Sequence, residues 1–194
     1  MLMIHAPAGG AADDIESIDG FRIDARSVGA DRRSALHQSL VDQVHIVQSV
    51  GLSPQLLNFF QRVDVVVDPE LRAMPGQYAH VDGRWVVKLQ ARPMPGNRPI
   101  LLHELLHAYH HQVLTIGNKA IEASYQRARA TGAYPGNFQA AHFLENSREY
   151  FAVIGSIYLF GRIQQPPFEC AVAARTDPEF LSFLAEQFGP HDCH

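Results

Sequence analysis

The stretch Arg98-Pro-Ile-Leu-Leu-His-Glu-Leu-Leu-His-Ala-Tyr-His-His111 constrains everything else in this chain. Ile100, Leu101, Leu102, Leu105, Leu106 and Tyr109 make it apolar on most sides, so the helix it forms must be buried. It nevertheless carries His103, Glu104 and His107 in the pattern H-E-x-x-H. Polar side chains on a buried helix need partners. Residues four apart on a helix share a face, about 6 Å apart along the axis. Two imidazoles so placed can hold one Zn²⁺ at about 2.0–2.1 Å each. Glu104, beside the first of them, can reach a water on the ion without binding the ion itself. Two nitrogen ligands and a carboxylate base are what metal-assisted hydrolysis requires. The alternative is a chance match, and the apolar surroundings argue against it.

A helix of this kind needs a core around it. At 194 residues the chain is long enough for one domain, spanning 1–194, with a loose tail over 1–19 that is rich in Gly, Ala and polar residues. The net charge of −4 gives no footprint for nucleic acid or an anionic membrane. No apolar run approaches the roughly 20 residues of a membrane span. Met1 to Ala12 lack the basic start and long apolar stretch of a signal peptide, although small residues of this kind also follow a cleavage site. Cys170 and Cys193 allow one disulfide, which ties the C-terminal tail His191-Asp-Cys-His194 to the body and favours a secreted or periplasmic location over the cytoplasm. One buried thiol and one thiol in a frayed tail is the other reading.

Along the chain, Phe21 to Val28 alternates apolar and polar as a half-buried strand does. Asp31 caps a long amphipathic helix whose apolar positions are Leu36, Leu40, Val44 and Val47, closed by Gly51. Val63 to Val67 is a β-branched strand. Tyr78 to Val81 and Arg84 to Leu89, joined by Asp82-Gly83, form a hairpin whose free edge is suited to pairing with an extended peptide. The proline-rich loop Ala91 to Pro99 leads into the motif helix, which should end near Gly117. Further helices are expected from Lys119 to about Thr131 behind an Asn118 cap, from Glu149 to Phe160, and from an Asp177 cap to Gly189-Pro190. The fold class is therefore α+β, with a small, mostly antiparallel sheet in the N-terminal half, a helical C-terminal half, and the motif helix at their junction.

Catalytic zinc takes three protein ligands, so the chain must supply a third downstream. His110 and His111 lie about 10 Å further along the helix axis from His103, too far for the same ion. They read as helix-end residues favouring the macrodipole, or as donors behind the ligands. Glu122, Glu145 and Glu149 remain. Glu122 falls in a polar helix. Glu149 opens an apolar one, where a carboxylate needs a cation or metal. It also fits a capping box on Asn146, as the third helical residue.

At this spacing, His103-Glu-Leu-Leu-His107 followed by Glu149-Tyr-Phe-Ala152 resembles the gluzincin branch of zinc peptidases, and in particular the compact catalytic domains related to anthrax lethal factor. The resemblance covers roughly residues 98–163. It implies a zincin-like fold, one catalytic Zn²⁺ bound by His103, His107 and Glu149, Glu104 as general base, and a peptide or protein substrate. Two positions depart from the pattern. Val153 stands where a second glutamate is often found, and His142 stands where a tyrosine steadies the oxyanion. An imidazole can donate the same hydrogen bond; Tyr134 and Tyr158 are the substitutes. The expected activity is peptide-bond hydrolysis through a metal-activated water. The alternatives are a binding or regulatory protein that keeps the scaffold without turnover, and a zinc hydrolase acting on a non-peptide amide. Neither substrate specificity nor oligomeric state is marked by any motif.

Overall fold

The computed structural model describes residues 15–130 and 132–193. Met1 to Ala12, Thr131 and His194, all mentioned above, lie outside the described residues. Among the described residues, five strands form one sheet in the order β1-β2-β3-β5-β4, namely β1 (Ile15–Ile18), β2 (Phe21–Asp24), β3 (Asp64–Asp68), β4 (Gly76–Val81) and β5 (Arg84–Gln90). Seven α-helices of the same residues accompany it: α1 (Ala30–Ser49), α2 (Pro54–Gln61), α3 (Ile100–Tyr109), α4 (Lys119–Ala130), α5 (Ser147–Phe160), α6 (Cys170–Thr176) and α7 (Pro178–Phe188). The α+β class expected from the sequence is the one observed.

The sheet is mixed, not mostly antiparallel. β1 with β2 and β4 with β5 pair antiparallel, whereas β2 with β3 and β3 with β5 pair parallel. The α1–α2 crossover returns the chain in its original direction, which parallel neighbours require. Asp82 (φ 48°) and Gly83 (φ 79°) make the tight β4–β5 turn with positive φ at both positions, as a two-residue hairpin demands.

The same chemistry corrects the expected loose tail. Asp19-Gly20 joins β1 to β2 with Ile18 opposite Phe21, so residues 15–18 are an edge strand. The β2 strand stops at Asp24, short of Val28, and α1 begins at Ala30 with Gly29 as its N-cap; Asp31 sits in the first turn, where its charge favours the helix N-terminus. Two helices had no counterpart in the sequence reading. Ser53 caps α2, accepting from the Leu56 N–H, and α6 follows the Pro166-Pro167 break.

One buried face is continuous from sheet to helices. Leu36, Leu40, Val44 and Val47 of α1 lie inside with Val65 and Val67 of β3 and Leu101, Leu102, Leu105 and Leu106 of α3. α3 packs against α5, α1, β4 and β5, so the motif helix is held on several sides. Its start has no side-chain cap of its own. Gln43, fully buried on α1, does that work from outside: its Oε1 accepts from the Leu101 N–H at 3.0 Å, and its Nε2 donates to the Arg98 carbonyl at 2.8 Å. Ser39, one turn earlier, accepts from the Met94 N–H at 2.7 Å. The proline-rich loop is thereby fixed to α1.

The C-terminal helices are tied by Asp177. It caps α7 through the Phe180 N–H, accepts from the Tyr150 hydroxyl of α5 at 2.9 Å, and pairs with Arg127 of α4 at 3.2 Å. Cys170 and Cys193 form a disulfide, with their Cα atoms 4.9 Å apart. No helix among the described residues is long and apolar enough to cross a membrane.

Candidate metal centre and cleft

Each side chain of the centre is placed by a rigid element. His103 and His107 project from the same face of α3, and Glu149 comes from the first turn of α5, which packs across it. Asn146 caps α5, accepting from the N–H groups of Arg148 and Glu149 through its side chain. This leaves Glu149 inside the helix and Glu145 before it. Glu149 turns Oε2 towards the imidazoles: it lies 3.4 Å from His103 Nε2, 3.3 Å from His107 Nε2 and 2.8 Å from His142 Nε2.

These distances fit what one bound metal ion requires. Four ligands held tetrahedrally at about 2.0–2.1 Å from one ion stand roughly 3.3–3.4 Å from one another. The three edges among His103 Nε2, His107 Nε2 and Glu149 Oε2 are 3.1, 3.4 and 3.3 Å. The buried Oε2 has no hydrogen-bond donor in proper geometry, although three ring nitrogens surround it. A cation at their centre would satisfy all three atoms. These three side chains form the only group of three or more His, Cys, Asp or Glu residues among the described residues that could hold a metal ion. Glu122 and Glu145 are not part of it.

Glu104 is nearly buried, 6 % exposed. Burial pushes its pKa up to about 7; the His103 charge opposes this and the Glu149 carboxylate adds to it. The backbone N–H of Tyr78, on edge strand β4, faces its carboxylate and favours the charged form. Burial also disfavours the charged form of Glu149, but contact with His103, His107 and His142 outweighs this and holds its carboxyl far below the usual range. His142 lies in a short 3₁₀ turn, His142–Leu144. Contact with Glu149 raises its pKa to about 9 against some burial, with Glu145 adding to the rise from 3.1 Å on the Nδ1 side.

A cleft of about 850 Å³ runs past these residues and is walled by β4, α3 and the start of α5. His142 and Glu145 line it. Tyr134 and Tyr158 do not: Tyr134 packs edge-on against Phe143, and the Tyr158 hydroxyl donates to the Gly189 carbonyl. Past Tyr109, α3 widens into a π-helical turn, His110–Leu114, instead of continuing as α-helix towards Gly117. His110 and His111 therefore stand in this π-helical turn and not at the end of an α-helix. The His111 Nδ1 lies 3.0 Å from the Tyr78 hydroxyl, while His110 is buried against the Phe151 ring.

Sequence reasoning missed three contributors: Gln43, Gly76 and the Tyr78 amide. Gln43 had a usable signal, being a polar residue on the buried stripe of an amphipathic helix. Gly76 had one too, since an isolated glycine in a strand marks a close approach of another group.

No family model and no curated protein matches this sequence. Among solved structures, that of the Pro-Pro endopeptidase PPEP-2 from Paenibacillus alvei is similar, with a TM-score of 0.49 and 18% identity over 86% of this chain and 97% of that one. A likeness of that size extends neither to individual residues nor to their roles.

Proposed function

We propose that the protein is a zinc-dependent peptidase of zincin-like fold, acting on peptide or protein substrates. The observation that carries this reading is the triangle of His103 Nε2, His107 Nε2 and Glu149 Oε2, whose edges match those of a tetrahedral site, with Glu104 buried beside it. His103, His107 and Glu149 would hold the ion. Zinc bound there supplies a Lewis acid for the scissile carbonyl and lowers the pKa of a water at the same site. Glu104 takes a proton from the attacking water and passes it to the leaving amine. His142 is oriented by Glu145 through Nδ1, so its Nε2–H faces the centre, where it donates to the oxygen that gains charge.

Edge strand β4 borders the cleft and can align an extended peptide across the centre. The disulfide is of the kind that persists in an oxidising compartment, and we place the protein outside the cytoplasm on that ground. The whole chain acts as one catalytic domain in this reading.

The test joins elemental analysis of purified protein with incubation in a broad peptide mixture, with and without a chelator. One zinc per chain and chelator-sensitive cleavage are expected. A scaffold that binds peptides without turnover leaves the mixture intact, and an amidase for small metabolites cleaves only non-peptide amides; either result overturns the proposal.

A further inference from the structure

Three residues that line the cleft are themselves buried: Ile100 at the start of α3, Ser156 on α5 and Ile163 just beyond α5. The cleft therefore deepens into a recess between the start of α3 and the end of α5. The two helices run in opposite senses along it. His110, past the end of α3, packs on Phe151 near the start of α5, whereas Gln164, past the end of α5, donates to Asn97 Oδ1 ahead of α3 at 3.1 Å. Glu149 lies two turns before Ser156 on α5, about 10 Å along the axis.

Arg98 and Gln165 flank this recess in the chain, line the cleft and are half-buried. Neither side chain has a hydrogen-bond or ion-pair partner among the described residues. The other polar groups at this end are spent: the Ser156 hydroxyl donates to the Ala152 carbonyl at 2.7 Å, and Asn97 Oδ1 accepts from Gln164. What is left over is chiefly donors, the N–H fork of the guanidinium and the amide NH₂ of Gln165. No carboxylate of the described residues meets them. Glu145 and Glu149 face His142, Glu104 lies against Gly76 of β4, and Asp42, near Gly96, accepts from Gln38. Pro99, Ile100 and Ile163 supply apolar walls, beside which a charge-assisted bond is stronger than in water. A half-buried guanidinium in such a setting is a receptor for a carboxylate, held by two parallel N–H···O bonds. Arg98 stands five residues before His103, about 7–8 Å along the helix axis, which is the length of about two extended residues.

We propose that Arg98 and Gln165, at the recess formed by Ile100, Ser156 and Ile163, bind a carboxylate of the substrate about two residues from the scissile bond. The inference rests on the peptidase reading and names part of its specificity. The carboxylate comes from an Asp or Glu side chain or from a free C-terminus.

The experiment uses two peptide sets around common neutral sequences. One places Asp or Glu, or the matched Asn or Gln, at each of three positions on either side of the cleaved bond, with both ends blocked. The other keeps neutral residues and frees the C-terminal carboxylate at varied distance. Cleavage by the zinc-loaded protein is measured together with binding to Glu104→Gln by fluorescence anisotropy. At one position the acid is expected to be bound and cleaved at least about 10-fold better than its amide. Arg98→Ala removes the difference, Arg98→Glu reverses it in favour of Lys at that position, and Gln165→Ala narrows it. Arg148→Ala, at the other end of α5, retains it. Zinc content and melting temperature of Arg98→Ala should match wild type, because the protein bonds the Arg98 carbonyl and not its side chain. The set showing the effect identifies the source of the carboxylate. Cleavage of neutral peptides with no acid preference at any position overturns the subsite alone, as does a preference that survives Arg98→Ala. If no peptide is either bound or cleaved, the peptidase reading falls, and the subsite with it.

Discussion

Gly76 and Glu104 touch across the boundary between β4 and α3: a Cβ at position 76 would stand 2.8 Å from both Cγ and Oε1 of Glu104. The carboxylate lies against the strand backbone because residue 76 has no side chain. The absence of one methyl group therefore sets the position of the proposed general base.

Gly76→Ala should accordingly displace Glu104 while leaving the metal ligands alone. We expect kcat to fall by about 10-fold or more with zinc stoichiometry unchanged, in line with the sensitivity of catalysis to misplacement of about 1 Å. Gly136→Ala, where nothing lies within 4 Å, is the control. Normal kcat in Gly76→Ala would show that the contact is without consequence.

Glu104→Gln keeps shape and burial but removes the proton acceptor. Zinc content and melting temperature should stay near wild type, and kcat should drop about 100- to 10,000-fold. Hydrolysis at the wild-type rate sinks the mechanism.

Metal affinity should single out Glu149 from its two neighbours in composition. Zinc titrations of Glu149→Ala, Glu145→Ala and Glu122→Ala are expected to show a large loss only for the first. Loss of a helix cap costs about 0.5–2 kcal/mol of stability and leaves the metal in place, so it cannot imitate this result. Chelation should also lower the melting temperature of wild type, since an ion at 100 times its Kd contributes about 2.7 kcal/mol. Normal zinc binding by Glu149→Ala refutes the assignment.

Gln43→Leu tests the support of the motif helix from α1. The exchange leaves the Leu101 N–H buried without its partner, whereas the Arg98 carbonyl still accepts from the Ile100 N–H; one unsatisfied group of this kind costs about 1–3 kcal/mol. We expect a destabilisation of about 1–3 kcal/mol, read by urea denaturation. A change under 0.5 kcal/mol would mean that water replaces the glutamine.

Thiol titration of the unfolded, unreduced chain should find no free thiol, because Cys170 and Cys193 are paired. Reduction closes no loop in the unfolded state and is expected to cost about 3 kcal/mol for a separation of 23 residues. Two titratable thiols would contradict the bond.

The sequence alone determined whatever depends on local spacing. His103 and His107 share a face because a helix repeats every 3.6 residues. Asn146 and Asp177 cap helices because a short polar side chain reaches the N–H groups two or three residues on. Asp82-Gly83 turns the hairpin because both positions take positive φ. The Asp19-Gly20 hairpin carried the same signal and was legible on the same terms.

Tertiary structure decided what depends on distance across the chain. Glu122, Glu145 and Glu149 are alike as carboxylates, and only the crossing of α5 over α3 brings Glu149 to the two imidazoles. The parallel pairing of β2, β3 and β5 follows from the path of a crossover, which has no fixed spacing in sequence. Gln43 reaches α3 from 58 residues away, and Gly76 makes room for a side chain on another element. Periodicity and capping act over a few residues, whereas these contacts exist only once packing has chosen which elements meet.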